Sequence, residues 1–246
     1  MWGYYDESGE YEGGNGRLVN MTVGGCFAPL DAWLQFDPQW RKILADEGLD
    51  FFHMTDFESY VPPFDFKLAN GERDKQRHNR LINSLLDLMF ECVDGFYGFG
   101  AVYRPDLHPA ATHADLMEDC VAGAIKNAVL DVADFYGDQL CLVFGNQNHC
   151  PESKIRRYVD FYDYGAAKGR IKTMSTAEMK CTTPLQAADI FAYEMARAQR
   201  PNRPERYPFQ RIVDHCRAAN KKMLLSWGPI RSSRADLRTD QPRRPA

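Results

Sequence analysis

A chain of 246 residues, 44% hydrophobic and 26% charged, can bury a large core and has the composition of a globular protein. Its apolar runs fall short of the ~20 residues of a membrane span, and the opening Met1-Trp2-Gly3-Tyr4 has neither the basic nor the apolar region of a signal peptide. The net charge of −4 hides an asymmetry, with 12 acids against 3 bases in residues 1–66 and 4 acids against 13 bases in residues 197–246. Such ends either attract each other or set an acidic metal site beside a basic substrate ramp.

Taken in chain order, Trp2 to Asp6 reads as a short aromatic strand, and Gly13, Gly14 and Gly16 mark a loop or hairpin. Leu18 to Phe27 is a second strand with a glycine kink. Residues 31–48 are helical, with Asp37 expected to cap a fresh start at Pro38. Asp50 to Met54 is strand-like, and Thr55 with Glu58 suggests a capping box on a short helix. Pro62 and Pro63 end it. Glu72 to Cys92 forms a strong helix on the stripe Leu81, Leu85, Leu88 and Met89. Gly95 to Tyr103 is a strand, Asp115 to Tyr136 a long helix, and the apolar "LCLVF" of Leu140 to Phe144 a central strand. A helix from Glu152, a strand from Ile171, a helix from Pro184 to Arg200 behind a Thr183 cap, and a helix from Tyr207 to Ala219 follow. The pattern predicts an α/β domain over residues 1–229. It has a mixed sheet flanked by helices, a partly helical insertion over residues 28–93, and a flexible basic tail over residues 230–246.

Seven cysteines, an odd number without a CxxC pair, point to free thiols in a reducing cytosol. The start "DESGEYEGGNG" has Tyr11 where a calcium loop needs glycine, and its distal Glu is missing. "GGNG" and "GFYGFG" lack the strand–turn–helix setting of a dinucleotide fingerprint. No HExxH, GxSxG or phosphate-loop sequence is present.

Two acids stand out. Asp6 ends the first strand, and Asp189 lies at the edge of the apolar seam of the late helix, with Gln186 and Tyr193 on a neighbouring face. A carboxylate near a core needs a donor, a cation or a metal. "YYDESG" and "PLQAAD", in this order and with a mixed sheet, resemble the domain of unknown function 3800 family, whose fold is ribonuclease-H-like. The elements carrying the resemblance are Asp6-Glu7-Ser8-Gly9 and Leu185-Gln186-Ala187-Ala188-Asp189. "FFHMTDFES" resembles the His-x-x-Asp segment of one branch, here His53 and Asp56.

The resemblance implies a metal-dependent nuclease or phosphodiesterase. Asp6 and Asp189 would hold Mg²⁺ or Mn²⁺, with Asp56 as third ligand and catalytic acid, and His53, Gln186, Arg197 and Arg200 would meet a nucleic acid. Glu7 alternates with Asp6 along the strand and is expected to leave the site. The central strand ends in Gly145 and Asn146 without the carboxylate such a site takes from that position. His149 beyond it suits a softer metal. That gap keeps a second expectation open: a catalytically degenerate module that binds nucleic acid or a protein. "RAQRPNRPER" (197–206), "KIRR" from Lys154 and "KGRIK" from Lys168 are candidate phosphate contacts, or else solvated faces.

Overall fold

The computed structural model describes residues 1–12, 17–102, 112–132, 136–137, 139–146, 150–165, 169–199 and 206–229. The expected glycine turn at 13–16, Gln147, His149, Lys168, Arg200, Arg203 and the tail from 230 lie outside them. Six strands form one mixed sheet in the order β5-β4-β1-β2-β3-β6. These are β1 (Trp2–Glu12), β2 (Arg17–Ala28), β3 (Gly95–Val102), β4 (Leu140–Gly145), β5 (Ile171–Ala177) and β6 (Lys222–Pro229). β1, β2 and β3 pair antiparallel in succession, while β4 joins β1, β5 joins β4 and β6 joins β3 in parallel. This is the mixed sheet flanked by helices that the alternation of elements predicts, and it is consistent with the ribonuclease-H-like fold that the resemblance implies.

Helices cover both faces. One face carries α4 (His113–Asn127), which runs on through a π-helical turn, and α5 (Glu152–Gly165). They pack on Tyr5, Met21, Val23, Leu142 and Phe144. The other carries α6 (Thr183–Ala198), with α1 (Leu30–Asp46), α3 (Lys75–Cys92) and α7 (Tyr207–Ala218) around it. The short α2 (Met54–Ser59) completes the insertion between β2 and β3. Because successive residues face opposite sides of a sheet, Tyr5 enters the first core and Tyr4 and Asp6 face the second.

α6 is the pivot. Every residue from Thr183 to Ala196 is buried, because the helix lies between the sheet and the insertion. Gly24 permits this approach: a Cβ there would sit 2.8 Å from the Ala192 Cα. A helix buried on all sides must satisfy its polar side chains internally, and Gln186, Asp189 and Glu194 are such groups.

Several local expectations need correction: β1 does not end at Asp6 but runs on to Glu12. α1 runs unbroken through Pro38, since Trp33, Phe36, Trp40 and Leu44 make one buried stripe across it. Asp37 caps nothing, and its carboxylate takes Arg41 and the Thr183 hydroxyl. Residues 50–53 form no strand, and α2 starts after His53, not Thr55, because burial of Met54 and Phe57 sets its phase. α6 is capped at Thr182, with Thr183 its first residue. β6 went unpredicted, since "KMLLSWGP" has no clean alternation.

Candidate acidic site at the end of the central strands

The β1–β4 ladder ends at Tyr5 opposite Phe144. Asp6 and Glu7 therefore lie just past the carboxyl end of the parallel pair, the usual place for a site in such sheets. Gly145 makes room there: a Cβ on it would come within 2.5 Å of Asp6 Oδ1. The missing side chain at the end of β4 is thus the space that the Asp6 carboxyl fills.

Asp189 approaches from α6. Its Oδ2 accepts a 2.6 Å hydrogen bond from the Met54 N–H, the first of α2. One helical turn earlier, Gln186 Oε1 accepts from the Phe52 N–H (2.9 Å) and from Trp40 Nε1 (2.8 Å), and its amide donates to the Met179 carbonyl (3.1 Å). Alternate N–H groups of an extended segment point the same way, so residues three apart on α6 take Phe52 and Met54 in turn. Gln186 has its polar atoms engaged inside the protein, which makes it a positioning residue for this segment.

Electrostatics mark the site. Burial holds the Asp6 carboxyl well above the ordinary range, and the charges of Glu7 and Asp189 push it further. The neighbouring Glu7 carboxyl thus favours a protonated Asp6. Asp189 is pushed up to about 6, first by burial; His53 and the Met54 N–H oppose this, while Glu7 and Asp56 add to it. β1 stays paired with β2 through Asp6 and Glu7, opposite Gly24 and Val23, so the pleat still turns the two side chains to opposite faces. Glu7 nonetheless stays within electrostatic reach of both Asp6 and Asp189.

At the mouth, His53 Nδ1 and Asp56 Oδ2 are 2.8 Å apart, each about one-third exposed. Asp56 has one oxygen engaged by His53, and its charge is felt at Asp189. Asn146 turns away, donating to Glu178 Oε1 at 2.7 Å. Among the described residues no three His, Cys, Asp or Glu are gathered closely enough to enclose an ion. The donors are nonetheless hard oxygens in an acidic cluster, and Mg²⁺ takes one or two carboxylates and fills its sphere with water. The donor set fits such an ion in type.

Of the basic stretch after α6, the two described arginines are both engaged within the protein. Arg197 lies on Tyr193, donating to its hydroxyl at 2.7 Å. Arg206 reaches back to the fully buried Glu194 (3.1 Å) and pairs with Glu58 of α2. Glu194 is pushed up to about 7 by burial, with Arg206 opposing. Here the basic end of the chain meets the acidic start. An acid on a helix with no exposed face was the sequence signal for a buried cation partner.

No family model and no curated protein matches the chain. Among the described residues no helix is long and apolar enough to cross a membrane. All seven cysteines are free thiols.

Proposed function

We propose that this chain is a divalent-metal-dependent phosphodiesterase acting on nucleic acid, with Asp6 and Asp189 as its core ligands. The reading agrees with its resemblance to the domain of unknown function 3800 family. The observation that carries it is the meeting of these two buried carboxyls from the central strand and the late helix, each held above its ordinary range by burial and by acidic neighbours. Burying acids together without a cation is costly, and a site that keeps them suits a ligand that removes the repulsion.

Mg²⁺ or Mn²⁺ bound there would activate water and neutralise charge on the phosphate. The protein does the rest. The Met54 N–H fixes Asp189, and Gln186 holds the segment that carries it. A cation held by Asp6 and Asp189 would favour their ionised forms, so its binding would release protons. Asp56 orients His53 at the exposed mouth, where a phosphate oxygen would arrive, and it stands next in line as third ligand. Free thiols support a cytosolic setting.

Gly145 and Asn146 favour a second reading, a binding module that has lost catalysis, because β4 brings no carboxylate and Asn146 is engaged by Glu178. Turnover separates the two. Metal-dependent cleavage abolished by Asp189→Asn in a folded protein supports the first, and its absence in the wild type supports the second.

A further inference from the structure

α2 has six residues, too few to hold a helix by its own hydrogen bonds. Contacts with its neighbours set where it lies. Met54, Phe57 and Glu58 share one of its faces, and Met54 and Phe57 are buried. Apolar burial is non-directional and leaves a short helix free to roll or slide. Two polar ties to α6 remove that freedom. At the start of α2 the Met54 N–H donates to Asp189 Oδ2 at 2.6 Å. Near its end Glu58 pairs with Arg206 at 2.5 Å, and the same guanidinium donates to both oxygens of Glu194 at 3.1 Å. Asp189 and Glu194 stand about 7.5 Å apart along α6, and Met54 and Glu58 about 6 Å apart along α2. The two ties are therefore spaced alike on both helices.

We infer that Arg206 is a positioning residue of the acidic site. It bridges α6 to α2, and so keeps the Met54 N–H on Asp189 and sets the His53–Asp56 pair at the mouth. Its own position is fixed. Arg206 stands at the N-cap of α7, whose Arg211 donates to Asp87 at 2.6 Å and to Asn83 at 2.8 Å on α3. Glu194 is fully buried, which commits the guanidinium to this place, since an acid left in the core without its partner is costly. Arginine suits the task because its planar fork meets two carboxylates at once. Groups that orient the ligands of a metal from behind also tune its affinity. The effect of Arg206 on metal binding rests on the phosphodiesterase reading; its hold on α2 does not.

Removing Arg206 strands Glu194 in the core, so the test variant is Glu58→Ala, which cuts the tie to α2 and leaves the Arg206–Glu194 pair in place. Asp87→Ala is the control, because it breaks an ion pair of α7 that does not involve α2. The first readout is amide hydrogen exchange by NMR in EDTA, at the Met54 N–H and at the Phe52 N–H, which Gln186 holds instead. Glu58→Ala is expected to speed exchange at Met54 about tenfold more than at Phe52, the factor of one lost charge-assisted hydrogen bond. Asp87→Ala is expected to move both alike. The second readout is Mg²⁺ affinity, taken from the rise of the thermal midpoint with Mg²⁺ concentration. It is expected to fall about tenfold in Glu58→Ala and to stay unchanged in Asp87→Ala. Unchanged exchange at Met54 in Glu58→Ala, equal acceleration at Met54 and Phe52, or the same selectivity in Asp87→Ala overturns the proposal. So does a Mg²⁺ affinity that Glu58→Ala leaves at the wild-type value. Selective release of Met54 in a protein whose wild type Mg²⁺ does not stabilise keeps the hold on α2 and loses the metal-dependent reading. Mg²⁺ binding with Met54 protected in Glu58→Ala does the reverse.

Discussion

Replacing Asp189 by Asn should stabilise the metal-free protein at neutral pH. Asp189 is 3% exposed, and its folded pKa of about 6 stands above the ordinary 3.8. A raised carboxyl binds its proton more tightly in the folded state, so its stabilising contribution is complete below about 3.8 and is lost as pH rises through about 6. At about 1.4 kcal/mol per pH unit, the loss is about 3 kcal/mol by pH 7.5. Asn has the shape of the protonated acid, and its Oδ1 still accepts from the Met54 N–H, so the variant removes the penalty without removing the bond. The assay is urea unfolding in EDTA from pH 4 to 8. With a slope of roughly 3 kcal/mol per M for a chain of this size, Asp189→Asn should raise the midpoint by about 1 M at pH 7.5 and leave it nearly unchanged at pH 4. Added Mg²⁺ should stabilise wild type and not the variant. A variant that is less stable than wild type at pH 7.5, or shifted equally at both pH values, would refute the reasoning that burial of the Asp189 charge outweighs what His53 and the Met54 N–H return.

Three further substitutions probe the frame around the site. Gln186→Leu leaves the Trp40 and Phe52 N–H groups and the Met179 carbonyl without their partner, and at about 1–3 kcal/mol for each buried group it should cost at least about 3 kcal/mol in the same urea assay. Gly145→Ala puts a methyl 2.5 Å from Asp6 Oδ1. It should displace that carboxyl, cost about 1–3 kcal/mol and abolish stabilisation by Mg²⁺; a variant with full Mg²⁺ stabilisation would show that Asp6 needs no such space. Glu194 is raised to about 7 from 4.5, so wild type should lose stability between those pH values. Glu194→Gln should flatten that part of the profile, measured by thermal unfolding from pH 4 to 8, and an unchanged slope would assign the titration to another group.

Period and composition made the fold legible where packing obeys local rules. The helical stripes of α3 and the apolar run of β4 sit as the sequence suggested. Reading failed where a distant partner overrode a local signal. Pro38 looked like a helix start, but one buried stripe carries α1 past it. Thr55 and Glu58 looked like a capping box, but Asp189 takes the first N–H of α2 and Arg206 takes Glu58. Asp6 and Asp189 were singled out by residue type, neighbours and order along the chain. That the β1–β4 ladder stops at Tyr5, leaving Asp6 just past its end, is stated by no local pattern. Gln186 was visible as a polar residue near the core, yet its partners on α1 and in the 50s segment are remote in sequence. The 197–206 arginines were ambiguous because a solvated terminus and a phosphate track have the same composition. Only burial of Glu194 assigns Arg206 to the interior.

The most direct measurement is single-turnover cleavage of labelled single- and double-stranded RNA and DNA, in Mg²⁺ and then Mn²⁺, by wild type beside Asp6→Asn and Asp189→Asn, each shown to be folded. We expect metal-dependent cleavage by the wild type, with both variants slower by at least about 100-fold, as removal of a group that stabilises transition-state charge gives. Cleavage that survives in either variant, or none by a folded wild type in either metal, would contradict the assignment of Asp6 and Asp189 as the centre of a phosphodiesterase.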